Sequence, residues 1–292
     1  MANEKRFRPM YNYLEFGVRL HLDDFTQLTV VALIVFLPVA AVALVFHPSL
    51  LSLIKPSGDL TGIISRVVVS QVLMRVLQTF VFILLILKVD AQLKEEGSVW
   101  DFTEALSRLK RVALVDLAYV FGLQALAIIV LWVGMVAAGF LFGESPVSFP
   151  IAVIAAGFVV VGPAVRYYFC TFASLIHGTP FFESFRLAGA VSNGAERLIV
   201  LIVLTYMSVW FVTLQIFQGI FGRGLFGQVM IQAGVMVASI SYFFATFRLY
   251  LDLSLAESNR IAGEGGEGGE GDLRLPPRAE ADSGEEEPPG AG

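Results

Sequence analysis

Six apolar runs constrain this chain more than any motif in it. They cover residues 26–46, 67–87, 113–142, 150–175, 198–221 and 225–251. A bilayer core of about 30 Å is crossed by about 20 apolar residues in a helix, so each run is long enough to span. Lipid offers no partner to a backbone N–H or C=O, which makes helices the default, and no run alternates as a barrel strand does. The third run is long enough to tilt or to carry an interfacial end. The composition agrees. The chain is 56% hydrophobic and 15% charged, whereas soluble domains carry about 25% charge. The expectation is an all-α polytopic membrane protein with six transmembrane helices.

Charge sets its orientation. Lys5, Arg6, Arg8 and Arg19 precede the first span. Lys88, Lys94, Arg108, Lys110 and Arg111 follow the second, and Arg186 and Arg197 follow the fourth. The opposite loops hold only Lys55, Arg66 and Arg223. Basic residues favour the cytoplasmic face, so both termini are expected there. The start, "MANEKRFRPMYNYLEF", has no apolar core after its basic residues and does not read as a cleavable signal peptide. The formal charge of −5 is unevenly spread. Ten acids and three basic residues lie from Ala256 onward. That segment is rich in Gly, Glu and Pro and lacks the apolar surface to offset ordering entropy. The expected organisation is therefore a membrane domain over 1–255 and a disordered acidic tail over 256–292.

An internal repeat organises the membrane domain. Short amphipathic segments precede the first, third and fifth spans: "YLEFGVRL" from Tyr13, "FTEALSRL" from Phe102 and "FFESFRLA" from Phe181. Each begins aromatic, any residue, glutamate. Each places its less polar residues at i, i+3, i+4 and i+7, which is one helical face. Glu15 with Arg19 and Glu104 with Arg108 are i,i+4 pairs on the other side. Thr179 and Pro180 suit the cap and first position of the third segment. The unit is thus an in-plane amphipathic helix followed by two spans, present three times. The second spans of the last two copies carry "YYFCTF" at 167–172 and "YFFATF" at 242–247. The first copy keeps only Thr79–Phe80 of that pattern. These aromatics are expected in an inner-leaflet belt or against the neighbouring in-plane helix.

The segments "DFTEALSRLKRVALVDL" and "TPFFESFRLAGAVSNGAERLIVL", with the closing "FATFRLYLDL", resemble a bacterial six-span group. That group is related to the membrane domain of glycerophosphodiester phosphodiesterases. The resemblance covers roughly 10–255 and implies a multi-pass protein of the bacterial cytoplasmic (inner) membrane. The soluble phosphodiesterase barrel that sometimes accompanies that domain has no counterpart here, so the catalytic activity is not implied.

Three of the charged residues within spans stand out. Arg75 sits mid-span in "QVLMRVLQTF", Arg166 lies in the equivalent span of the next copy, and Asp116 lies just inside the third span. A charge at that depth costs about 2.5–17 kcal/mol depending on the model, so each is expected to face protein, a polar cavity or an anion. Arg75 and Arg166 are candidates to bind an anionic group, such as a lipid phosphate, or to line a path; a structural pair with Asp116, or snorkelling along the long Arg stem, is the alternative. Pro163, just before Arg166, is expected to kink its helix. Lys88, Lys94, Arg108, Lys110 and Arg111 are candidate headgroup contacts or plain topology-setting charge.

Other patterns carry no chemistry. Gly222-Arg-Gly-Leu-Phe-Gly227 matches G-x-G-x-x-G but follows a membrane helix rather than a strand, and reads as a tight turn. His21, His47 and His177 lack metal-ligand spacing. Cys170, the one cysteine, sits in an apolar helix and reads as packing. No nucleophile–base pair, Walker motif or cofactor motif is present, and the basic clusters are too short for nucleic acid. The expectation is a non-enzymatic membrane protein without cofactor or metal, engaging lipid or a membrane-protein partner as a scaffold. The alternative is a small transporter or channel for an anionic solute.

Overall fold

The computed structural model describes residues 9–31, 33–34, 60–94, 100–142, 148–222 and 225–264. Among them every regular element is helical. In chain order these are α1 (Met10–Asp23), α2 (Leu60–Leu93), α3 (Phe102–Phe142), α4 (Ser148–Arg166), α5 (Cys170–His177), α6 (Phe181–Ser192), α7 (Glu196–Phe221) and α8 (Leu225–Glu264). A further helical stretch at 25–31 follows α1. Among the described residues, 5 helical segments are long and apolar enough to cross a membrane. The first expected span, 26–46, lies mostly outside the described residues.

The outward surface is apolar. Phe140 is 88% exposed and Phe158 81% exposed, and Ile128, Trp132 and Ile220 are also on the outside. Soluble monomers rarely show apolar patches on this scale, and a lipid solvent accounts for them. The core is concentrated at one end of the bundle, in Val81–Ile86 of α2, Phe169–Ile176, and Phe244–Leu253 of α8. Most rings of the aromatic hexapeptides lie in this core or against it. Phe172 and Phe247, equivalent residues of the two, stack with centroids 6.1 Å apart. Tyr250 packs on Phe169 and Phe172. Tyr167 takes the alternative expected of these rings, meeting Phe185 of α6 edge-on at 5.7 Å.

Three boundaries differ from expectation. The second amphipathic segment is not a separate in-plane helix, because α3 runs without interruption from Phe102 to Phe142. Asp101 starts it, accepting the Glu104 N–H at 2.8 Å. No Gly or Pro separates amphipathic segment from span, so nothing breaks the ladder. The fourth run is split: α4 ends at Arg166, a turn occupies 167–169, and α5 begins at Cys170. Pro163 lies inside α4 one turn earlier. Finally, α8 continues past 255 to Glu264, and Glu257 is buried there and pairs with Arg260. Residues 256–264 therefore belong to a helix; 265–292 lie outside the described residues.

The other amphipathic segments are separate helices. In α6, Thr179 does not cap the backbone; its hydroxyl hydrogen-bonds that of Ser184 at 2.8 Å. α1 packs along α8, burying Tyr13, Gly17 and His21. The ion pairs Glu15–Arg19 and Glu104–Arg108 both form.

Candidate functional site: an Arg–Asp pair in a hydroxyl-lined cavity

Helical spacing brings polar residues of five segments together. α2 supplies Arg75, Gln78 and Thr79, at i, i+3 and i+4 on one face. α3 supplies Asp116 and Tyr119. The broken fourth run supplies Tyr168 and Thr171, α7 supplies Tyr206 and Trp210, and α8 supplies Ser239, Tyr242 and Thr246. All line one cavity of about 390 Å³, together with Phe82, Phe172 and Phe243.

Arg75 and Asp116 form its centre. The Arg75 Nε donates to Asp116 Oδ2 at 2.6 Å and Nη2 to Oδ1 at 2.9 Å. This two-point geometry is the strong form of the pair. Asp116 also accepts the Thr79 hydroxyl at 3.0 Å and the Thr171 hydroxyl at 3.4 Å. The carboxylate is 7% exposed, so these contacts replace the water it has lost. Arg75 is 36% exposed toward the cavity, and its Nη1 lies 3.5 Å from the Gln78 side-chain oxygen.

The break in the fourth run serves this site. Tyr168 N–H donates to Val165 rather than continuing the α-ladder to Ala164. The carbonyl of Ala164 is thereby freed, and Tyr119 donates its hydroxyl to it at 2.7 Å. The turn also aims the Tyr168 hydroxyl at that of Tyr242, with which it hydrogen-bonds. Tyr242 stacks on Tyr206, centroids 3.9 Å apart, and the Tyr206 hydroxyl bonds that of Ser239.

The remaining candidates are dispersed. Arg166 is absent from this cavity and instead lines a second groove with Arg186. Lys88 is not a headgroup contact. Its side chain is 0% exposed, 3.2 Å from the Asp24 carboxylate. It donates to Gln27 Oε1 at 2.6 Å and lies 4.5 Å over the Trp100 ring. A buried ammonium must be paired, and neighbouring acid, amide and ring do this from three directions. Lys94 pairs with Asp90 at 3.2 Å. Arg108 is drawn inward too. It pairs with Glu104 and donates to the Leu175 carbonyl at 2.8 Å, a cation at the end of α5. Arg111 is half-buried, with no hydrogen-bond partner for its Nε. Of the five, Lys94 and Lys110 are exposed.

Thr79, Thr171, Tyr119, Tyr206 and Ser239 were not singled out by sequence. The repeated Thr-Phe pairs marked two of them, but only as helix-end punctuation. Tyr119 follows Asp116 by three residues, a same-face signal too common to weigh by itself. No protein-family model, curated protein or solved structure matches this chain.

Proposed function

We propose that this chain is a non-enzymatic integral membrane protein that interacts with lipids or scaffolds a membrane complex. In this reading it has six spans in three units, each an amphipathic segment followed by two spans. It sits in a bacterial cytoplasmic membrane with both termini cytoplasmic. The resemblance to the membrane domain of glycerophosphodiester phosphodiesterases belongs to the same reading and rests on the sequence segments that carry it.

The observation that carries the scaffold reading is the use of Arg75. Two of its three nitrogens are held by Asp116, so the mid-span charge is neutralised inside the chain. A core charge satisfied this way fixes how helices pack and leaves little field for an anion in transit. The repeat is supported by the cavity. Thr79, Thr171 and Thr246 occupy equivalent positions in the three units, and all three line it. The first amphipathic helix, α1, packs on α8, the last span of the third unit, as a closed ring of units requires.

The second reading, a pathway for an anionic solute, draws on the cavity volume and on the Arg75 edge exposed to it. Proteoliposomes decide between the two. The scaffold reading expects no anion flux above empty vesicles, and lipid that stays bound in native mass spectrometry. Anion flux abolished by Arg75→Leu supports the pathway instead.

A further inference from the structure

The groove beside Arg166 has a different electrostatic character from the central cavity. It occupies about 1020 Å³ among the end of α4, α6 and the start of α7, and ligand sites commonly run about 300–1,000 Å³. Its lining includes Arg166, Arg186, Asn193, Ser192 and Glu196. Arg19, Arg75, Lys88, Lys94, Arg108, Arg248 and Arg260 each have a carboxylate partner. Arg166 and Arg186 have none among the described residues, although Glu196 lines the same groove. Both are exposed. Two guanidiniums without a carboxylate partner, brought to one groove from different helices, suit an anion held between them.

Two further groups point the same way. Ser192 lines the groove, is 1% exposed, and its buried hydroxyl has no hydrogen-bond partner. α7 begins beside it with Glu196 in its first turn but with no side-chain cap, which leaves first-turn N–H groups without a side-chain partner. Depth argues for a lipid. Glu196, which lines the groove, is the first residue of the candidate span Glu196–Phe221, and Arg186 lies on the amphipathic helix that precedes that span. The groove therefore reaches the end of a span, where headgroups begin. Phe182 on α6 is 83% exposed and adds apolar surface near the groove.

We propose that this groove binds the phosphate headgroup of an anionic phospholipid, with Arg166 and Arg186 as its clamp and the Ser192 hydroxyl as a donor. The proposal rests on the membrane reading above and names its lipid site.

The test titrates the full-length, delipidated chain with phosphatidylglycerol or phosphatidylcholine in mixed micelles, read by native mass spectrometry. The unaltered chain is expected to retain phosphatidylglycerol in preference to phosphatidylcholine; no preference overturns the proposal without any variant. Arg166→Gln with Arg186→Gln is expected to weaken phosphatidylglycerol retention at least about tenfold. Arg19→Gln with Lys110→Gln removes two exposed charges elsewhere and is expected to leave retention unchanged. Equal losses in the two pairs indicate general charge attraction and overturn the groove. Glycerol 3-phosphate binding as tightly as the lipid identifies a soluble ligand and also overturns it. Membrane extraction with alkaline carbonate separates the two readings: release of the unaltered chain counts against the membrane reading, whereas the groove's failure leaves insertion intact.

Discussion

Gly17 of α1 and Ser241 of α8 touch backbone to backbone: a Cβ built on Gly17 would stand 2.1 Å from the Ser241 carbonyl oxygen. The Ala245 amide nitrogen would be 2.9 Å away. No side-chain rotation relieves a clash with backbone. Gly17→Ala is therefore expected to push α1 off α8 and lower stability by about 1–3 kcal/mol, the usual cost of overpacking. Thermal unfolding in detergent reads the loss; an unchanged melting temperature would mean the two helices do not cross at this glycine.

Arg75→Leu strands the buried Asp116 carboxylate, and removing one partner of such a pair costs about 3 kcal/mol or more. Adding Asp116→Asn removes the second charge, so the double variant is expected to recover most of the loss. If Arg75→Leu folds normally and loses a bound anion that Asp116→Asn does not restore, the pair is a binding site rather than a packing device.

Lysine reactivity separates the two kinds of basic residue here. Lys88 has no exposed side-chain surface, while Lys110 is exposed. An amine-reactive reagent applied to the folded chain is expected to label Lys110 and spare Lys88, with both labelled after denaturation. Early labelling of Lys88 would contradict its burial against Asp24 and Trp100.

Asp24 makes folding sensitive to acid. The Gln92 side chain donates to its carboxylate at 2.8 Å. That bond first, and the neighbouring Lys88 after it, hold the acid below its ordinary range against the opposing effect of burial. A folded value below the unfolded one of about 3.9 gives stability that is present above that pH and lost as pH falls through the folded value. Acid unfolding followed by circular dichroism is expected to be less steep below about pH 4 in Asp24→Asn than in the parent. Identical acid limbs would remove Asp24 from the account.

Orientation is open to reporter fusions. A fusion after Lys94 is expected to report cytoplasm and one after Glu144 the opposite side, from the bias of basic residues. A reversed pair of signals would invert the assignment of faces.

Much of the architecture was legible along the chain because lipid allows so few backbone solutions. Length and apolarity alone defined the runs that became α2, α3, α7 and α8. The amphipathic spacing around Glu15 and Glu104 named their i,i+4 partners, because those contacts are local. Arg75 and Asp116 were flagged for the cost of intramembrane charge, which needs no tertiary knowledge. What joined them does. Asp116 is forty-one residues from Arg75, and only helix packing decided that they meet while Arg166 turns to another groove. The burial of Lys88 followed from Asp24, Gln27 and Trp100 arriving from other segments, which no local spacing encodes. The site hydroxyls escaped notice for the same reason. A serine, threonine or tyrosine in an apolar helix satisfies itself locally or across a bundle, and sequence does not distinguish the two. The break at 167–169 was half visible in Pro163. Its consequence, a freed Ala164 carbonyl meeting the Tyr119 hydroxyl, depended on a neighbouring helix lying within hydrogen-bond reach, and only the tertiary structure set that distance.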